Sequence, residues 1–278
     1  LRVVRKSAAQ LFRAGRIDLE PPADSLLARL DRWPPLGELA AVRQGIAENP
    51  ASINARTNAA FGNRWQVGQG VFALRPAEVE RLDLSAGERA LLRPYYDVGD
   101  VARYHLADHP SLELIYSTKR TCPDIGQFPR IKAHLEPFRT IMEARRETRQ
   151  GSNRWWHLHW PRDEAIWQSP KILCLQFARR PSLVAVRGPG YVPFSVNVAV
   201  PRATTREGLD YLAALLNSRL LWTWFEHHAK RRGVGLEING RVLARAPIRA
   251  IDFSRPEERA RHEEIGRASC RERVSECV

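Results

Sequence analysis

Apolar positions recur along this chain with two periods. In PADSLLARLDRW, residues 22 to 33, Leu26, Leu27, Leu30 and Trp33 fall at i, i+1, i+4 and i+7. That is one buried stripe of a helix, with Asp24 as its candidate cap and Pro34 and Pro35 as its stop. The next segment, LGELAAVRQGI, reads as a strand, and residues 48 to 64 read as a polar loop without periodicity. GQGVFAL reads as a turn and a short strand, and residues 76 to 93 as helical with Ser85 as a second cap. ELIYST, ILCLQF and YVPFSVNVAV read as strands. In the last, Phe194, Val196, Val198 and Val200 face one way while Ser195 and Asn197 face the other. Two long helices are predicted. One runs from about 131 to 149 with Ile131, Leu135, Phe138 and Met142 inward, the other from about 209 to 229 with Leu209, Leu212, Leu216, Leu220 and Trp224 inward. Clustered strands broken by single helices predict an α+β domain with a mixed β-sheet and two long helices, preceded by a short helical linker at residues 1–33.

With 278 residues and 44% hydrophobic content, the chain can bury a large core and is too apolar for disorder. No apolar run approaches the roughly 18 residues needed to span a bilayer. The opening LRVVRKSAAQ lacks the apolar core of a signal peptide, so a cytoplasmic protein without membrane association is expected. Cys122, Cys174, Cys270 and Cys277 form no C-x-x-C pair, which argues against a zinc knuckle or a disulfide framework. The chain opens on Leu1 and Met142 is its one methionine, so a lost true start is expected. In the tail at 256–278, EIGRASCRERV (264–274) resembles the translated read-through of a common sequencing adapter and is set aside, the alternative being a short frayed basic helix.

The net charge of +13 is unevenly placed. Residues 1–118 carry 15 basic and 14 acidic side chains, residues 119–187 carry 14 and 6, and residues 188–278 carry 15 and 11. An excess concentrated in the middle quarter is the footprint expected of a polyanionic partner. Arginine makes up 39 of the 44 basic residues; a GC-rich genome explains that preference but not the clustering.

Catalytic patterns are weak. No Asn-Pro-Pro-aromatic turn is present, Asn49-Pro50 being followed by Ala51 and Ser52. Gly68-x-Gly70 precedes a strand and reads as a hairpin turn. None of the five lysines has an acidic residue two positions before it, so a common metal-dependent nuclease loses weight. His157 and His159 alternate and would share a side, a spacing some zinc sites use, but no third ligand is suggested nearby and no metal is expected. His227 and His228 sit at a helix end, where cations cap.

The stretch GSNRWWHLHWPRDEAIW (151–167) interleaves four tryptophans with histidines and arginines. Trp155, Trp160 and Trp167 are expected in the core. Arginine and asparagine in loops can grip phosphates or base edges, and aromatic rings can stack on bases. The candidate DNA-contacting residues are Lys119, Arg120, Arg149, Asn153, Arg154, Trp156, His157, Arg179, Arg180, Lys230, Arg231 and Arg232, with the pairs and the triple placed in loops. Arg145 and Arg146 lie beside them on the last turns of the first long helix.

Several segments resemble, in order and spacing, the C-terminal specificity (target recognition) domain of TaqI-type adenine-specific DNA methyltransferases. These are WPPLGELAAVRQGI, GQGVFAL, LLRPYYDVGDVARYHL, IKAHLEPFRTIMEARRET, WWHLHWPRDEAIWQSPKILCLQ, YLAALLNSRLLWTWF and VLARAPI, spanning about residues 31 to 253. The resemblance implies a DNA target recognition domain at 34–255, reading double-stranded DNA for a methyltransferase domain earlier in the intact protein. That domain would use S-adenosylmethionine; its base pocket is missing here, so the fragment is expected to be non-catalytic and to hold no cofactor. Two other readings stand beside this one. A specificity subunit would act as a non-enzymatic scaffold in a multi-chain restriction-modification complex, and a self-contained enzyme would use a site around His157, His159 and Asp163.

Overall fold

The computed structural model describes residues 7–13, 16–17 and 26–275, and its centre is a four-stranded sheet. Strands β1 (Ala40–Gln44), β2 (Lys171–Leu175), β3 (Leu183–Val186) and β4 (Val196–Pro201) lie in the order β1-β4-β2-β3. The register places Gln44, Asn197, Cys174 and Leu183 in one row across the sheet. One end of the sheet therefore gathers the end of β1, the start of β4, the end of β2 and the start of β3.

Period-two alternation sends the strands' side chains into two cores. Val196, Val198, Leu173 and Val184 enter one with Tyr95, Tyr116, Trp167 and Tyr191. Ile172, Cys174, Leu183 and Ala199 enter the other with Tyr211, Leu212, Trp224 and Phe225. The alternation expected in YVPFSVNVAV is thus observed from Val196 on, although its second face is buried too; Phe194 lies in a turn before the strand and is exposed, not aligned with the valines. Asn197 tolerates this because its amide donates to the Ile238 carbonyl at 2.7 Å. The first core continues under a second sheet, in which Leu112–Ile115 lies between Ala73–Leu74 and Leu92–Tyr95.

The α+β class holds, but the sheets are not mixed. Every pair of strands is antiparallel among the described residues, and parallel contact is confined to the isolated bridges Ile46 to Pro193 and Tyr95 to Tyr191. The short return from β2 to β3 reverses the chain, whereas parallel neighbours need a crossover of a dozen or more residues.

Neither long helix is continuous. The first is split into Pro129–Leu135, a 3₁₀ turn at Glu136–Phe138, Arg139–Glu143 and Arg146–Arg149. Pro137, with no N–H, interrupts it, and Arg145 leaves helical geometry at ψ 141°. Ile131, Leu135, Phe138 and Met142 are nevertheless all buried. The second divides into α1 (Leu209–Leu216) and α2 (Arg219–His228). Asn217 spends its side chain on the backbone N–H and C=O of Leu183, and Ser218 caps α2 by accepting from Leu221 N–H.

Other boundaries shift for local reasons. The expected first strand begins with a helical turn, Leu36–Leu39. The expected loop at 48–64 holds the helix Ala55–Ala60, set by its cap Asn54, which accepts from Thr57 N–H at 2.8 Å; with Asn58 as its buried residue, it has no apolar stripe to betray it. Within residues 76–93, expected to be helical throughout, two short helices form, Pro76–Arg81 and Ala86–Arg89, the second capped by Ser85 as expected, while residues 92–93 already belong to the strand Leu92–Tyr95. The linker helix is described over Leu26–Leu30, and its candidate cap Asp24 lies outside the described residues. The tail forms a long helix, α3 (Pro256–Ser275), seated on α1. There His262 accepts from Gly208 N–H and lies against the Tyr211 ring. No described helix is long and apolar enough to cross a membrane.

Glu48 is a cost inside this fold. It is 7% exposed and its Oε1 has no hydrogen-bond partner among the described residues. Burial, with a smaller contribution from Asp97, pushes its pKa up to about 7, against a backbone hydrogen bond that lowers it. The folded protein therefore keeps this proton between pH 4.5 and about 7 while the unfolded chain releases it, so stability falls as pH rises through that window. Glu48→Gln should leave the melting temperature unchanged near pH 4.5 and raise stability at pH 7.5 by on the order of 2 kcal/mol. Equal melting shifts at both pH values would contradict this.

Candidate nucleic-acid interface

The stretch 151–167 is organised by a residue outside it. Arg145 is 6% exposed, and its guanidinium donates to five carbonyls, of Met142, Asn49, His157, Arg154 and Trp155, at 2.7 to 3.4 Å. Burial lowers its pKa to about 10, which leaves it charged at neutral pH. Around this hub the chain forms turns, so the strand alternation expected to align His157 with His159 does not apply. His157 is buried and its Nε2 meets the Cys122 carbonyl at 3.0 Å, while its Nδ1 accepts from Arg154 N–H. Burial lowers its pKa, consistent with a neutral ring donating through Nε2. His159 instead packs between Glu147 and the Trp160 ring. The two histidines do not converge, and no group of three metal-ligating side chains occurs among the described residues.

Several sequence candidates are thereby engaged in structure. Trp156 donates through Nε1 to the same Cys122 carbonyl, and Asn153 donates to the carbonyl of His159. Trp155 and Trp167 are core residues, as expected. Trp160 is not: it is 41% exposed, held by a two-bond bridge to Ala47 at the end of the sheet.

The geometry of that end turns on Arg162. Its backbone is left-handed, with φ 63°, a strained value for a bulky residue. The preceding carbonyl of Pro161 accepts from Trp167 Nε1 and from Tyr116 Oη, and Arg162 Nε donates to the Gly45 carbonyl at 3.1 Å. Gly45 is needed here, since a Cβ would lie 2.1 Å from the Pro193 carbonyl oxygen. The Arg162 guanidinium lies 5.6 Å from the Trp160 ring centroid and 6.0 Å from that of Phe194. Partial burial and the charge of Arg43 both lower its pKa.

Arg162 joins two clefts. One, of about 550 Å³, is lined by Arg43, Gln44, Arg162, Asn239 and Arg241. The other, of about 290 Å³, is lined by Lys119, Arg120, Asn153, Arg162 and Glu164. Burial disfavours the charge on Glu164, but Arg93 and Arg120 outweigh it and hold its pKa below the usual range. Its negative charge is spent on these two ion pairs. Lys119, Arg149, Arg154, Arg179, Lys230 and Arg241 make no ion pair among the described residues, and all six are exposed.

The remaining candidates continue along the same sheet end. Lys230–Arg232 form a strand, not a loop, paired with Gly235–Glu237 and through it with Phe177–Ala178 just beyond β2. Arg232 pairs with Glu237 and lies over the Phe177 ring; Arg231 pairs with Glu226 at 3.5 Å. Arg180, in the turn before β3, lies over the Trp222 ring in a separate cleft with Arg103 and Arg219. Sequence reasoning overlooked Arg43, Trp160, Phe177, Arg162, Phe194 and Arg241 as surface groups. The one available signal was Arg162, which stands inside the aromatic stretch.

No protein-family model and no curated protein matches the chain. Among solved structures, it is similar to MmeI, a type IIL restriction-modification enzyme solved in complex with DNA. The match has 11% sequence identity and a TM-score of 0.57, over 84% of this chain and 28% of that one. BpuSI, a type IIG restriction endonuclease, aligns at 12% identity and a TM-score of 0.46, over 83% of this chain and 26% of that one. The chain thus spans little more than a quarter of the length of either enzyme. Its fold is one that occurs in a restriction-modification enzyme.

Proposed function

We propose that this chain is a DNA target recognition domain of a restriction-modification system, reading duplex sequence for an adenine-specific methyltransferase. The observation that carries the reading is the sheet end, where Arg43, Arg162 and Arg241 share one cleft, Lys119 and Arg120 line the next, exposed Trp160 and Phe194 flank Arg162, and exposed Phe177 lies under Arg232. Cations that neutralise phosphates release counterions, and planar groups beside them address base edges. The likeness to an enzyme solved with DNA supports the same reading. Methyl transfer from S-adenosylmethionine would belong to a catalytic domain outside these residues. Gly68 and Gly70 lie in a turn before the strand Ala73–Leu74, which does not supply the strand-to-helix glycine loop that such a cofactor uses.

The test is a fluorescence-anisotropy titration of the 278-residue chain with a mixed-sequence duplex between 50 and 200 mM salt. Affinity should fall with a log–log slope steeper than about −3, as expected when four or more phosphates are neutralised. A flat response would count against the reading.

A further inference from the structure

We propose that Trp160 is a stacking wedge, whose ring receives a nucleobase at an opened step of the duplex, so that the domain favours DNA that unstacks easily at that position. The inference rests on the DNA-recognition reading and adds a contact that phosphate binding alone does not require.

Three independent features point to it. Of the eight tryptophans, Trp160 alone is exposed, at 41%, while the other seven are buried or half-buried. The ring is backed rather than loose: His159 lies 4.6 Å from it, Arg162 5.6 Å and Phe194 6.4 Å, centroid distances that leave it little freedom to fold away. The backbone is fixed on both sides, by the bridge to Ala47 and by the left-handed Arg162, whose preceding carbonyl is held by Tyr116 and Trp167. An aromatic ring carried this rigidly can displace a neighbour in a base stack, as wedge residues do when they open a step. The flanking charges select the partner. Arg162 stands against the ring, Arg43 shares a cleft with Arg162, and no carboxylate pairs with either among the described residues, which suits the phosphates beside an opened step and disfavours an apolar protein surface.

Two duplexes of one mixed sequence test this, one fully paired and one carrying a central 2-aminopurine mispaired with guanine. Opening is cheaper at the mispair, and stacking is worth enough that the wild-type chain should bind the mispaired duplex about tenfold more tightly and quench its 2-aminopurine fluorescence. Trp160→Ala should lose the preference and the quench and bind the paired duplex somewhat more weakly, while the salt slope set by the neighbouring cations persists and the chain remains folded by far-ultraviolet dichroism. Trp160→Phe should restore most of both. Equal wild-type affinities for the two duplexes, or a preference that survives Trp160→Ala, overturns the wedge and leaves the DNA reading standing if salt-dependent binding persists. Failure to bind either duplex removes both.

Discussion

Arg145→Met should lower folding stability by about 3 kcal/mol or more, with a fall in melting temperature of roughly 10 °C and loss of the near-ultraviolet dichroism of the packed tryptophans. Among the described residues Arg145 has no carboxylate partner; its guanidinium satisfies five carbonyls contributed by Asn49, Met142, Arg154, Trp155 and His157. Methionine fills much of the volume but leaves those oxygens buried without donors, and each orphaned acceptor costs about 1–3 kcal/mol before relaxation. Arg145→Lys should recover little, because one ammonium cannot reproduce a planar fork of five donors. The consequence extends to the surface. The carbonyls that Arg145 holds belong to the segment that leads into Trp160 and Arg162, so the variant should also bind DNA poorly at temperatures where it is still folded. A variant melting within about 2 °C of the wild type would show that the loop is held by something else.

Arg43→Ala combined with Arg162→Ala should reduce affinity for a mixed-sequence duplex by roughly a hundredfold or more at 100 mM salt, since each charge-assisted hydrogen bond contributes about 1.5 kcal/mol or more and about 1.4 kcal/mol is tenfold. Both side chains line the same cleft, and neither has a carboxylate partner among the described residues. The two differ in what they risk. Arg43 lies exposed near the end of β1 and its loss should leave stability unchanged. Arg162 donates to the Gly45 carbonyl, so its removal should lower stability slightly. Arg154→Ala with Arg149→Ala, at exposed positions outside both clefts, serves as the comparison and should weaken binding less. If the second pair matters more, the DNA path runs along the 146–154 segment instead.

What could be read from the sequence followed from local periodicity. Val196 and Val198 alternate with Asn197, and Ile131, Leu135, Phe138 and Met142 form an inward stripe, because both patterns lie within a few residues of chain. Pro137 and the Asn217–Ser218 pair were visible break signals, yet an unbroken apolar stripe ran across each. Helix breaks preserve the stripe when the axis bends only slightly. The site was harder to read because its components are chemically alike. Arg145, Arg154 and Arg162 occur within one basic run, but one is buried among carbonyls, one is exposed and one stands against two aromatic rings. Burial of an arginine depends on distant carbonyls such as that of Asn49, and periodicity carries no information about them. Trp160 misled for the converse reason: three neighbouring tryptophans suggest a core, whereas the bridge to Ala47 pins this residue at the exposed end of the sheet. Arg43 sits in an ordinary short strand, and its importance comes from β4 and the 160–162 turn meeting it at the sheet end.

The central claim is that cations from four separate segments act together at that end of the sheet, and the salt dependence of duplex binding tests it most directly. Measured side by side, the wild-type chain should show a steep log–log slope, and the Arg43→Ala, Arg162→Ala variant a slope shallower by about 2, one counterion-linked contact for each arginine removed. Identical slopes for the two proteins would mean that these arginines do not face the phosphates and that the DNA, if bound, lies elsewhere.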